Sequence, residues 1–235
     1  MWRWLAAGLW MSGAATGGGQ SPSFETLTAA QQAAIRGGAT VQILEPVKSS
    51  SWPRSVVFVF VRATPEECAA VMSDYELQAT YIPRLKSVKI LGRPEVNLTD
   101  VEYVIDVPIF PDERSISRQW VSASNGDYQV HWRTVVTDSA HPGSRTIGVA
   151  TMRPFVGDGG VDGTLIIHDQ TVVPASMLAG VPLVRNKGVQ VSVQSAKETV
   201  RQIEKERASE PALLARQLKR LREALAAPHD STNRQ

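Results

Sequence analysis

An α+β domain, in which one curved antiparallel sheet wraps a long C-terminal helix, is predicted on three observations. Between residues 87 and 173, segments of alternating apolar and polar residues follow one another with turn residues between them, Asn125-Gly126 the clearest. Hairpins in succession build one antiparallel meander rather than crossover units. Later, Val189, Val193, Ala196, Val200 and Ile203 recur at spacings of four, three, four and three, an apolar stripe on a helix running to about Arg207. Between the first strands and the meander, Thr64-Pro65-Glu66-Glu67 reads as a helix start, with Pro at the first position and acids in the first turn. A bent sheet closed by one long helix cannot fill its own middle, so an internal apolar cavity is expected.

The elements follow in chain order. Arg3, the apolar run 5–11 and the small residues after it have the layout of a secretory signal peptide, expected to span 1–15 and to direct export to the periplasm. The run is shorter than the about 20 residues that cross a bilayer. Residues 16–25 form a Gly- and Ser-rich linker. Thr28 to Gln31 fits a capping box, and Gly37-Gly38 stops the Ala-rich helix it opens. Residues 39–45 alternate as a strand, 48–53 are turn-rich, and 55–62 form a β-branched and aromatic strand buried along its length. The helix after Thr64 is followed by a helical or irregular piece, 75–84, broken at Pro83. The meander strands are placed at 87–91, 99–107, 114–123, 128–137, 145–155 and 163–173. After the long helix, Glu210-Pro211 opens another with Leu214, Leu218, Leu221 and Leu225 in register, and Pro228 ends it. Its leucines are expected to pack on the domain itself, with Arg216, Lys219, Arg220 and Arg222 on the other side.

Composition narrows the function. The 235 residues are 43% hydrophobic and 20% charged, a globular balance. A net charge of +2 carries none of the basic footprint of a nucleic-acid binder. One cysteine, Cys68, permits neither a disulfide framework nor a cysteine-rich zinc site. His131, His141, His168 and His229 are scattered without metal-ligand spacing, so each reads as a surface or hydrogen-bonded strand residue. The glycine-rich stretch 157–163 lies between strands and lacks the lysine of a phosphate loop, so it reads as a hairpin loop. No metal and no cofactor are expected.

Two segments carry a family resemblance. Residues 63–75 run Ala-Thr-Pro-Glu-Glu-Cys-Ala-Ala-Val-Met-Ser-Asp-Tyr, and 81–88 run Tyr-Ile-Pro-Arg-Leu-Lys-Ser-Val. Together with the stretch from Val173-Pro174 through Pro182 to Asn186, they resemble the START-like (helix-grip, SRPBCC) superfamily, which includes polyketide cyclases, over residues of about 26 to 207. The resemblance implies a START-like ligand-binding domain at 26–207, followed by a C-terminal helical extension and polar tail at 208–235. Members of the superfamily bind sterols, phospholipids, polyketides and quinones, and some are enzymes. The expectation for this chain is binding, and transport, of a lipid, sterol-like or acyl ligand by a monomer that touches membranes transiently and is not an enzyme. An aromatase/cyclase-type enzyme acting on a polyketide is the alternative, and a protein-interaction module is a third.

The cavity wall is sought among strand faces. Tyr103 shares a face with Val101 and Ile105, Trp132 with Val130 and Thr134, and Arg118 and Trp120 with Ile116. Looking inward, Tyr103, Arg118, Trp120 and Trp132 line the cavity, with Arg153, Asp169 and Arg133 as further polar candidates. Looking outward, the arginines meet solvent on the convex side, and alternation alone leaves the two open. Met177 and Leu178 belong to the apolar loop before the long helix, where the related folds gate their cavities. Gly180 and Gly188 give that region backbone freedom.

Overall fold

The computed structural model describes residues 22–48, 50–107, 111–137, 144–174 and 181–226. The expected signal peptide and the loop carrying Met177 and Leu178 lie outside these residues. Among them the strands are β1 (Val41–Glu45), β2 (Arg54–Val61), β3 (Leu85–Glu95), β4 (Leu98–Ile105), β5 (Glu113–Ser124), β6 (Asp127–Thr137), β7 (Arg145–Val156) and β8 (Asp162–Val173). They form one sheet in the order β1-β2-β8-β7-β6-β5-β4-β3, antiparallel throughout. The last six strands are thus the meander, and the β1–β2 hairpin joins its far edge. At the β5–β6 turn Asn125 and Gly126 have φ of 53° and 84°, the paired positive angles of a type I′ hairpin.

The helices are α1 (Ala29–Arg36), α2 (Pro65–Met72), α3 (Gln78–Tyr81), α4 (Pro182–Ser209) and α5 (Pro211–Ala226). The capping box expected at Thr28 forms, and the helix start expected at Thr64 is closed by one as well. The Gln31 N–H donates to Thr28 Oγ1 at 3.3 Å, and the Glu67 N–H donates to Thr64 Oγ1 at 3.2 Å. In return the Thr64 N–H donates to Glu67 Oε2 at 2.7 Å, which closes the first turn of α2. β3 departs from expectation. It runs on through Gly92-Arg93-Pro94, a stretch whose composition reads as a turn, and its pairing with β4 slips on both sides of Gly92. β3 is the sheet edge, where a bulge and a proline are tolerated because one side of the strand needs no partner.

Apolar residues gather in two cores. On one face of the sheet Val59, Val61, Val101, Val121, Val130, Ala150, Met152 and Ile166 pack with Cys68 to Val71 of α2, Ile203 of α4, and Leu214 and Leu221 of α5. On the other, Val56, Phe58, Phe60 and Leu165 pack with Phe24, Leu27 and Ile35 around α1. β2 is buried on both faces, which is why its sequence is apolar at nearly every position rather than at alternate ones. α5 is part of the first core. Leu214 and Leu221 are 6% and 2% exposed, and the helix is tied to α2 by Arg222 on Glu66 at 2.7 and 2.8 Å.

Candidate functional site

Between the sheet's first-core face and α4 the packing opens into a cavity of about 380 Å³. Each strand from β2 to β8 contributes, β4, β5, β6 and β8 with alternate residues and β2, β3 and β7 with one each. β2 contributes Val59, β4 Tyr103 and Ile105, β6 Val130 and Trp132, and β8 Ile166, His168, Gln170 and Val172. α4 closes it with Val184, Val191, Ser195 and Ala196, and α3 and the residues after it add Gln78, Tyr81 and Ile82.

The floor has a specific cause. Trp132 on β6 lies across Gly148 on β7, so closely that a Cβ at 148 would stand 2.3 Å from Trp132 Cζ2. Only glycine leaves room for the indole to lie flat on the sheet. The ring then reaches His168 on β8, their centroids 4.8 Å apart. The roof has a matching device. Trp52, from the loop between β1 and β2, packs on Gly188 of α4, where a Cβ would be 2.5 Å from the indole. Gly188 therefore lies within a regular helix and makes room for Trp52, whereas its composition suggested a flexible lid. Trp52 separates the cavity from a surface groove lined by Leu44, Pro46, Arg185 and Val189.

The polar groups inside are mostly held by one another. Tyr103 Oη donates to Gln78 Oε1 at 2.9 Å and accepts from Gln119 Nε2. Burial pushes the Tyr103 phenol well above its ordinary value, so it stays neutral. Gln170 Nε2 donates to Ser192 Oγ at 2.7 Å, joining β8 to α4. Glu113 accepts from the Ser144 N–H at 3.2 Å and from its hydroxyl at 3.0 Å, and burial raises its carboxyl. At the rim the exposed Arg84 pairs with Asp106 at 3.1 Å. His168 differs. Its Nδ1 is buried with no hydrogen-bond partner among the described residues, and burial pushes its imidazole down to about 4.

The residues expected at the wall divide. Tyr103 and Trp132 line the cavity. Arg118 and Trp120 do not, because Ser115, Ser117 and Gln119 are the β5 residues that face inward. On the opposite face Arg118 holds Asp100 through two bonds of 2.8 and 3.0 Å, and Trp120 stacks on His131 with centroids 4.9 Å apart. Arg153 also faces away, pairing with Asp127 at 3.2 Å, and Arg133 is not on the wall. Asp169 is turned outward to Arg54, whose Nε reaches it at 2.7 Å. On β4 and β6 the wall residues Tyr103 and Trp132 face inward, whereas those named on β5, β7 and β8 face away. The inner faces of β5 and β8 carry serine, glutamine and histidine, since a wall that leaves space open is not built like a close-packed core. Gln78, Gln119, His168 and Trp52 were missed. Only His168 had a usable signal, a histidine directly after the apolar run Leu165-Ile166-Ile167. No three His, Cys, Asp or Glu side chains cluster as a metal site among the described residues.

No protein-family model matches the sequence, and no curated protein matches it. Solved structures do match. Human STARD10 aligns over 80% of this chain and 79% of its own, with a TM-score of 0.62 and 13% identity. Human StAR-related lipid transfer protein 5 aligns over 72% and 83%, with a TM-score of 0.60 and 9% identity. A STAR-related lipid transfer protein from Xanthomonas axonopodis aligns over 70% and 93%, with a TM-score of 0.57 and 15% identity. At these identities the likeness is one of fold, and the chain has the START-like helix-grip fold.

Proposed function

We propose that the chain binds an apolar small molecule, a lipid, in this cavity and carries it through water. One observation carries the reading: a largely apolar hollow of about 380 Å³ enclosed between the sheet and α4 and walled by Trp132, Val130, Ile166 and Val191. Small-molecule sites are of this kind, mostly apolar with a few polar groups for orientation. Two of the solved structures with this fold are named as lipid transfer proteins, which supports the same reading.

Binding is favoured over proton-transfer chemistry by how the polar groups are turned. Asp169, the acid next in sequence to His168, faces the other side of the sheet on Arg54. The Tyr103 proton is engaged by Gln78. Among the described residues, neither His168 nor Tyr103 therefore has the partner that would tune it toward a general acid or base. We place the carrier outside the cytoplasm, on the export signal expected at 1–15. Extracytoplasmic protein should begin near Ala15 or Thr16 on N-terminal sequencing, and an intact Met1 there would remove that part of the proposal.

Titration with a fluorescent sterol and a panel of acyl lipids tests the function. Saturable one-to-one binding with quenching of tryptophan emission is expected, reduced in Trp132→Phe because that indole forms the floor. A panel without any saturable response would count against the carrier.

A further inference from the structure

We infer that the cavity selects lipids whose one polar head is uncharged, a hydroxyl or a carbonyl, and that His168 is the group that hydrogen-bonds it. This rests on the carrier reading above and narrows its ligand class. Position is the first support. His168 lies well inside β8, opposite Val57 on one neighbouring strand and Ala150 on the other, and lines the cavity beside Trp132. Its Nδ1 is buried and unpartnered among the described residues. A buried polar atom without a partner is a standing penalty. Nδ1 itself is closed off from the hollow, and the half-buried ring meets a ligand's polar group through its Nε2 edge. Burial keeps the imidazole neutral at physiological pH. A neutral imidazole is a donor at one nitrogen and an acceptor at the other, so it can serve a hydroxyl or a carbonyl.

Charge is the second support. Among the described lining residues the cations are Arg84 and Lys187, and both are exposed. Arg84 is taken by Asp106, and the buried wall residue Glu113 is itself an acid. A carboxylate or phosphate drawn in to His168 would be desolvated with no cation beside it, which is strongly unfavourable. Size is the third. A hollow of about 380 Å³ is near the lower end of ligand pockets and takes one chain or one fused-ring body, not a two-chained phospholipid.

Displacement of a bound fluorescent probe by hexadecan-1-ol, hexadecanoate and hexadecyl phosphate, at a pH where both acids are ionised, tests the inference. The alcohol is expected to bind at least about tenfold more tightly than either anion. His168→Leu should weaken the alcohol by about tenfold, and His168→Gln, which keeps a donor and an acceptor, should restore most of it. Lys187→Ala, which removes an exposed cation of the lining, should leave the alcohol ahead of both anions. Anions bound as tightly as the alcohol overturn the inference and leave the carrier standing, as does a folded His168→Leu variant with unchanged alcohol affinity. An anion whose tight binding disappears in Lys187→Ala also overturns it, by placing the head at the rim. If the probe itself finds no saturable site, the carrier reading fails; if the probe binds and none of the three displaces it, the inference is overturned and the carrier stands. Should His168→Leu not fold, the alcohol-to-anion ratio of the unaltered chain and the Lys187→Ala result decide.

Discussion

Replacing Gly148 by alanine is expected both to destabilise the fold and to block the cavity, a combination that few other single methyl groups in this chain should produce. The added Cβ would lie 2.3 and 2.6 Å from Trp132 Cζ2 and Cε2, and 2.5 Å from the backbone oxygen of Asp169. The indole can swing away, but only off the sheet and into the hollow. The carbonyl belongs to the neighbouring strand and can move only with the β7–β8 pairing around Gly148 and Gln170. Forcing a group into a filled site costs about 1–3 kcal/mol, and the backbone contact puts this substitution toward the upper end. For a chain of this size that lowers Tm by roughly 5–10 °C. Ligand affinity should fall at least about tenfold, because the displaced ring occupies the ligand's space. Calorimetry and lipid titration of the same variant check both parts. Unchanged melting and unchanged affinity would show that Trp132 does not depend on Gly148.

Acidification is expected to produce the second large effect. The His168 imidazole is held down to about 4 from an ordinary value of 6.5, chiefly because burial disfavours the charged form. In the unfolded chain the ring takes up a proton as pH falls through 6.5, whereas in the fold it resists until about 4. The folded state therefore binds fewer protons across that window, and stability falls with pH. The full contribution is present above 6.5 and is lost by about 4, up to roughly 3 kcal/mol in all. Glu113 and Glu206, whose carboxyls are raised mainly by burial, act in the opposite sense. The comparison that isolates His168 is thus denaturant unfolding of the unaltered chain and of His168→Gln across the same pH range. The variant should lack the loss between 6.5 and 4, and parallel curves would contradict the assignment.

These two residues also show where sequence reading stops. The hairpin at Asn125-Gly126, the capping boxes at Thr28 and Thr64, and the spaced apolar residues of α4 are local signals, and each element formed where its signal stood. Local chemistry decides such features, so they survive translation into structure. Which face of a strand looks inward is decided by distant partners. On β5 the larger apolar side chains Ile116 and Trp120 point outward, while Ser115, Ser117 and Gln119 face the hollow. Hydrophobicity picks the wrong face there because the wall of a cavity needs small or polar groups where a packed core would have bulk. Gly148 had no signal at all. Its role depends on Trp132, sixteen residues earlier and one strand away. The same holds for Trp52, a loop residue whose partner Gly188 lies in α4.

Native mass spectrometry of the protein purified gently from its own host tests the central claim most directly, because it weighs whatever the cavity holds. A one-to-one complex is predicted, with a mass excess matching one single-chain or fused-ring lipid that has an uncharged head. The excess should vanish in Gly148→Ala, where the floor indole is pushed into the ligand's place. A chain that carries no lipid from its host and acquires none when offered the panel, or a complex that persists unchanged in Gly148→Ala, would contradict the account.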